Sequence, residues 1–515
     1  MKNFSLILFL FFCLKIHLSA QNVMISNQNE PNEPSIIIDT KHPNVLLAGS
    51  NINNYYISTD TGKTWTSKIL SSTHGVWGDP VMAIDTASNF YFFHLSNPSS
   101  GNWIDRIVSQ KSLDQGKTWS DGSFTGLNGK KAQDKQWCAI DRKNNNLYLT
   151  WTQFDTYGSS NIKDSSIILF SKSLDAGATW SAPKRINAIA GDCIDSDNTV
   201  EGAVPTVGPN GEIYVAWAGP KGLVFNKSLD QGNTWLKNET LVTDIPGGWD
   251  YTIAGISRAN GLPVTTCDLK TGTIYINWSD QRNSATNTDI WLVKSNDGGK
   301  TWSAPKKVND DTSNKQQFFT WMCIDQTSGY LYFVFYDRRN YTDNSTDVFI
   351  AISKDGGTTF LNKKISQSPF IPNAGVFFGD YTNITAHNGI VRPIWTRLQN
   401  GKLSVWTDIS KLKDLLVASE EVSSEKLNLA FENYPNPSNN DIFVSFKLHV
   451  KSDINLSVLD MKGSIVSNII TNESRDYGKY IERIDWQKLN LPSGLYLLRL
   501  EVDGVTKVMK QIVLP

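Results

Sequence analysis

The sequence predicts an all-β protein: a β-propeller of six or seven blades, seven favoured, followed by a small C-terminal antiparallel β-sandwich. Three observations carry that expectation. The motif S-x-D-x-G-x-T-W recurs six times between Ser58 and Phe360. Apolar, β-branched and aromatic runs, separated by short polar turns, stand between the copies and have the composition of strands. After Asn433 both patterns stop and another alternating pattern begins. Self-similarity at this period marks a repeat architecture. Composition agrees. Of 515 residues 19% are charged and 11% aromatic, too few charges for a coiled coil or a helical array and too many rings for disorder.

Taken in order, residues 1–20 read as a secretory signal peptide, outside the fold. Lys2 precedes an apolar run from Phe4 to Leu14, and Ala20 stands before Gln21. The run is short for a membrane span, and no later stretch is long enough, so no transmembrane segment is expected in the mature chain. Export permits disulfides. Cys138, Cys193, Cys267 and Cys323 allow three full pairings, and buried free thiols are an equal alternative. With 49 basic and 50 acidic residues, net charge -1, there is no global field to draw nucleic acid or an anionic membrane.

Residues 21–410 form the propeller. Its motif copies are STDTGKTW (58–65), SLDQGKTW (112–119), SLDAGATW (173–180), SLDQGNTW (228–235), SNDGGKTW (295–302) and SKDGGTTF (353–360). An Asp accepts hydrogen bonds from the backbone that follows it, and a Gly supplies positive φ. Asp60, Asp114, Asp175, Asp230, Asp297 and Asp355 are therefore assigned to a turn, not to catalysis. Each interval holds a first strand, a turn, a second strand, a loop, a third strand, the motif turn and a fourth strand, which makes one blade. A seventh set near 380–408 lacks the motif, and the segment 23–27 (VMISN) can supply its fourth strand.

The motif resembles the Asp-box, or BNR repeat, of sialidases and related glycosidases. The resemblance implies a glycoside hydrolase of exo-sialidase type acting on a glycan or glycoprotein. That family holds a carboxylate with three arginines, pairs a Tyr nucleophile with a Glu, and uses an Asp as acid/base. Its F/Y-R-I-P segment is absent here; the corresponding region reads Asn32-Glu33-Pro34-Ser35-Ile36. Such propellers also include non-catalytic glycan- or protein-binding modules and polysaccharide lyases. A lyase would draw on His94, Tyr381 and Arg397.

Strand direction locates a site. First-strand starts and second-strand ends share the rim opposite the motif turns. The starts carry Glu33, Asp79, Asp134, Glu201, Asp380 and Tyr381. The ends carry His94, Asp155, Asp280, Arg282, Asp337, Arg338, Arg339 and Arg397, with Trp77, Trp137 and Trp321 nearby. Carboxyls suit acid/base work on a glycosidic bond, and arginines suit bidentate binding of anions. The catalytic candidates are Asp79 as acid/base, with Tyr381 and Glu201 as nucleophile and partner. Arg282, Arg338 and Arg397 are the substrate-binding candidates. In the alternative, Asp–Arg pairs at the second-strand ends tie to Asp289 and Asp347 at the next strand. His74, His94 and His387 lack ligand spacing, no cofactor motif is present, and no loop has an EF-hand pattern. No metal and no cofactor are expected.

Residues 411–432 are polar and read as a linker. Residues 433–515 resemble the type A C-terminal sorting domain of the type IX secretion system of Bacteroidetes. The matching residues are Tyr434-Pro435-Asn436-Pro437, Asp460–Gly463, Ser493–Tyr496 and Lys510–Pro515. The resemblance implies export, the type IX machinery as a partner, and either release or attachment at the outer-membrane surface.

Overall fold

The computed structural model describes residues 21–416, 431–448, 451–502 and 505–513. The leader segment and most of the linker lie outside the described residues. The chain divides into two compact units, Met1–Leu412 and Lys413–Pro515.

The first unit holds seven four-stranded antiparallel sheets. We number them by their first strands: Ser35–Ile38 (sheet one), Gly78–Ile84 (two), Ala132–Ile140 (three), Glu201–Val207 (four), Val264–Cys267 (five), Gln317–Asp325 (six) and Asn383–His387 (seven). Each first strand packs against that of the next sheet, and Asn383–His387 packs back against Ser35–Ile38. The second strands are covered on both faces. Phe90–Leu95 (FYFFHL) and Leu147–Phe154 (LYLTWTQF) are buried at every residue, which explains why they read as continuous aromatic and aliphatic runs. Sheet seven takes its fourth strand from the other end of the chain, where Asn22–Ser26 pairs with Lys402–Asp408.

The motif turn closes each of sheets one to six in the same way. The Ser hydroxyl donates to the Asp Oδ1 at 2.7–2.9 Å in all six copies. It accepts the Gly N–H at 2.8–2.9 Å. The Thr N–H reaches the same Asp Oδ1 at 2.8–3.0 Å. The Thr hydroxyl bonds Oδ2 at 2.5–2.7 Å. The Thr118 hydroxyl and amide hold the Asp114 carboxyl down to about 2, and the same pair of bonds does so for Asp175 and Asp230.

These turns also join neighbouring sheets. Gly232 has φ +81°, and a Cβ there would overlap the Phe170 ring of the preceding sheet. Only glycine meets both demands. Trp180, Trp235 and Trp302 each place an edge against an aromatic ring of the preceding sheet, Phe93, Phe170 and Phe225, at 6.0, 5.0 and 5.1 Å between centroids. Lys172, Lys227 and Lys294 donate to carbonyls in the motif turn of the following sheet, at 2.9, 2.6 and 2.8 Å. Arg392 of sheet seven does the same to Thr61 of sheet one, at 2.7 Å.

Among the described residues all four cysteines, Cys138, Cys193, Cys267 and Cys323, are free. This settles the open choice in favour of unpaired thiols, and burial pushes that of Cys267 up to about 12. The second unit has a three-stranded sheet (Phe431–Tyr434, Ile442–Leu448, Gly478–Ile484). Its four-stranded sheet is ordered Ile465–Arg475, Ser452–Leu459, Gly494–Val502, Val505–Val513. The core alternates along the strands, with Ile454, Leu456 and Val458 facing Leu498, Leu500 and Val502, as period-two patterning requires.

The buried motif serine is the part of the turn with no replacement. Ser112 is 1% exposed, whereas its neighbour Leu113 is 74% exposed. Ser112→Ala leaves the Gly116 amide unpaired and is expected to cost about 1–2 kcal/mol. Leu113→Ala is expected to change stability by less than about 0.5 kcal/mol. Urea denaturation of the two variants checks the contrast.

Candidate functional site

The first strands begin irregularly. The pairing register slips between Gly78 and Val81, Asp134 and Trp137, Glu201 and Val204, and Phe318 and Trp321. Each slip holds one residue in the left-handed region: Asp79 (φ 50°), Lys135 (φ 51°), Gly202 (φ 73°) and Phe319 (φ 50°). Glu33, just ahead of sheet one, has φ 49°. A bulge re-aims a side chain out of the alternating pattern, and a non-glycine residue there costs roughly 1–2 kcal/mol. Three such residues, Glu33, Asp79 and Lys135, meet at one place.

Lys135 is the centre of that place. Its Nζ lies 2.7 Å from Asp380 Oδ2, 3.4 Å from Asp79 Oδ2 and 3.9 Å from Glu33 Oε1. Arg258 clasps the same Asp380. Its Nε donates to Oδ1 at 2.9 Å, its Nη2 donates to Oδ2, and its Nη1 donates to Asp195 Oδ2 at 3.1 Å. Asn51 donates to Glu33 Oε2 and accepts the Asp79 amide at 2.8 Å, and Tyr157 donates to Asp195 at 2.6 Å.

The proton states diverge within this cluster. Burial works against ionising Asp380, but Lys135 and Arg258 outweigh it and hold the carboxyl well below the usual range. Burial, then the charge of Asp79, raises Glu33. Burial, then the charges of Asp195 and Asp134, raises Glu201. Asp134 is pushed up to about 7 by burial, with Lys135 opposing. Burial therefore favours the protonated form of Glu33, Glu201 and Asp134, while Asp380 beside the same lysine is held ionised.

A cavity of about 550 Å³ opens on this cluster, lined by Glu33, Asn51, Asp79, Asp134, Lys135 and Arg258. Trp77, Trp103, Tyr157 and Phe377 wall it. Trp77, Trp103 and Phe377 are 39%, 44% and 40% exposed. Trp103 stands edge-on to Trp77 at 6.1 Å and to Tyr157 at 5.6 Å. A smaller space of about 30 Å³ also touches Lys135 and is bounded by Trp137, Trp321 and Tyr381. Trp137 and Trp321 are 4.3 Å apart between centroids, with Tyr381 5.3 Å from Trp137.

The sequence-derived candidates separate here. Asp79 lines the large cavity. Glu201 is 1% exposed and lies outside the residues that line it. Tyr381 borders the small space. Burial, then the charges of Asp79 and Glu33, pushes its phenol well up, and its hydroxyl has no hydrogen-bond partner among the described residues. Arg282, Arg338 and Arg397 do not line the cavity, and each is engaged locally. Arg282 forks onto Asp280 at 2.9 and 2.6 Å, Arg338 donates to Thr346 at 3.0 Å, and Arg397 donates to Ser368 at 2.7 Å.

The expected tie from these second-strand ends to Asp289 and Asp347 takes another form. Arg282 and Arg339 pair with the aspartate two residues before them. Asn309 and Ser366 bond Asp289 and Asp347 at 2.6 and 2.8 Å. The cations nearest them are Lys307 at 3.5 Å from Asp289 and Lys364 at 3.6 Å from Asp347. Asp155 pairs with Lys131 at 2.6 Å. His94 is buried between the Leu95 carbonyl and Gln110, and burial lowers it to about 4. Among the described residues no cluster of His, Cys, Asp and Glu has the geometry to hold a metal ion.

Sequence reasoning missed Lys135, Asp195 and Arg258. The last two sit in the long connections from sheet three to four and from four to five, which end on the same rim as the first-strand starts. The acidic run DCIDSDNT (192–199) and Arg258 in SRAN (257–260) were the available signals.

Residues 432–514 match the family model of the secretion system C-terminal sorting domain. The second unit is a sorting domain. It directs secretion and attachment at the outer-membrane surface in Bacteroidetes, and it implies contact with the secretion machinery. Among the described residues no helix is long and apolar enough to cross a membrane. No curated protein matches the chain. Among solved structures, the chain is similar to a Hadza microbial sialidase at 14% identity and TM-score 0.41, covering 72% of this chain and 74% of that one. It is also similar to a polysaccharide lyase of family PL25, an ulvan lyase, at 13% identity and TM-score 0.45, covering 78% and 98%. The NanB sialidase of Streptococcus pneumoniae follows at 11% identity and TM-score 0.43, covering 71% and 83%. No residue role is carried over from them.

Lys135→Met removes the cation that three carboxyls share. It is expected to cost about 3–5 kcal/mol at pH 7, the range for breaking a buried pair from one side. Asp380 is depressed in the folded state, so its pairing contributes above the unfolded carboxyl value and is lost only as pH falls through the lower folded value. In the variant the uncompensated carboxyls protonate before that. The difference in melting temperature between wild type and variant should therefore narrow from pH 7 to pH 4, as thermal melts across that range would report.

Proposed function

We propose that the seven sheets are the blades of a closed seven-bladed propeller, sealed by Asn22–Ser26, and that the protein is a surface-exported glycoside hydrolase directed at glycans. The observation that carries the reading is a pair of carboxyls, one of them favoured in its protonated form by burial, lining one sugar-sized, aromatic-walled cavity. Asp134, pushed up to about 7, is the acid. Asp79, 3.4 Å from the Lys135 ammonium, is the carboxylate.

Cleavage of a glycosidic bond needs that pair. The acid protonates the departing oxygen, and the carboxylate either attacks the anomeric carbon or takes a proton from the attacking water. Asp380 touches Lys135 and Arg258 and positions both. Tyr381 is not given the nucleophile's role in this reading, because its buried phenol is driven away from the phenolate. The half-exposed Trp77 and Trp103 offer flat apolar faces to a sugar ring.

The test is a panel of fluorogenic glycosides with full-length protein. Cleavage of at least one is expected, with Asp134→Asn and Asp79→Asn each lowering kcat about 10²–10⁴-fold. Asp134 must carry its proton, so the rate should fall as pH rises through about 7. Glycan binding without any hydrolysis, unchanged in both variants, would replace this reading with a binding module.

A further inference from the structure

We infer that the sugar unit received at the floor of this cavity carries hydroxyl or amino groups and no carboxylate. The inference rests on the glycan-directed reading above and names its substrate class. It comes from counting which polar groups at the floor are already spent.

The cavity offers two cations, and both are occupied. Lys135 faces Asp380, Asp79 and Glu33 at 2.7, 3.4 and 3.9 Å. All three nitrogens of Arg258 bond protein carboxylates, Nε and Nη2 to Asp380 and Nη1 to Asp195. Neither presents the free fork that binds a carboxylate in a bidentate manner. The three arginines that could have formed such a clamp lie off the cavity, each bonded within its own sheet or its flanking loop.

What remains at the floor are carboxyl groups. Glu33, 1% exposed and lining the cavity, has Oε1 with no hydrogen-bond partner among the described residues. Asp79 and Asp134 line the same surface. A substrate carboxylate would meet these carboxyl groups with no free cation to offset its charge, whereas O–H or N–H donors can be accepted by their oxygens. A site built to accept donors rejects a ligand that lacks them, because its buried acceptors stay unpaired. Repulsion of the wrong ligand is as much a source of selectivity as attraction of the right one.

The test is a glycan array probed with the full-length wild-type protein on ice, and read in solution through quenching of Trp77 and Trp103 fluorescence. Glycans ending in neutral or amino sugars are expected to bind at least tenfold better than matched glycans ending in uronic or sialic acid. Neutral and amino termini are scored separately, to tell hydroxyl from ammonium recognition. Asp195→Ala frees Nη1 of Arg258 while Asp380 still holds the guanidinium, and should narrow that preference at least threefold. Equal or tighter binding of the carboxylated glycans overturns the inference and leaves the hydrolase reading standing. Absence of binding to every glycan, together with absence of hydrolysis, overturns both.

Discussion

Asp380 is the group on which the site depends. It is one buried carboxylate with two cations on it, one from the first strand of sheet three and one from the connection between sheets four and five. A carboxylate cannot be buried alone, and a buried lysine and a half-buried arginine cannot stand this close to each other without one. Each of the three therefore requires the others. Their mutual requirement draws parts of sheets three and seven and a long loop to one point, and Glu33 and Asp79 bring sheets one and two to the same lysine. The cavity owes its shape to this arrangement as much as to the aromatic wall.

The energetic structure of the rest of the first unit is different in kind. The motif turns are repeated, mostly exposed, and satisfied by short-range bonds between a Ser, an Asp and a Thr. Their second contribution is longer in range. A glycine without a side chain lets one sheet approach the aromatic ring of the sheet before it, and a tryptophan edge fills the remaining gap. Rigidity between sheets comes from these contacts on one rim, and the chemistry stands on the other. Strain at the left-handed residues Asp79 and Lys135 can persist because the frame beneath them is held this firmly.

The frame was legible in the sequence because it repeats. Six copies of one turn and the strand pairs between them define the sheets, and the short segment before residue 27 could be matched to the incomplete last one. The rim that carries Asp79, Asp134 and Asp380 followed from strand direction alone. The partners on that rim did not follow. Arg258 and Asp195 lie in connections that do not repeat, and Lys135 sits at a bulge, which re-aims its side chain out of the alternating pattern. Arg282, Arg338 and Arg397 were noticed because arginines at strand ends stand out in a list of letters. In the fold, a nearby aspartate or hydroxyl occupies each of them. The separation of the carboxyls into protonated and ionised states is a property of burial, which no spacing records.

The strand Asn22–Ser26 has a consequence in time. Its partner lies at the far end of the first unit, with Asn22 bonding Asp408 across 386 positions of chain. The earliest of the described strands is thus the last of its sheet to find a partner, and closing so large a loop delays completion. Until the end of sheet seven emerges, one edge of that sheet is open and the molecule lacks its final seam. Cutting the short N-terminal strand away would therefore leave the last sheet with three strands and a bare edge.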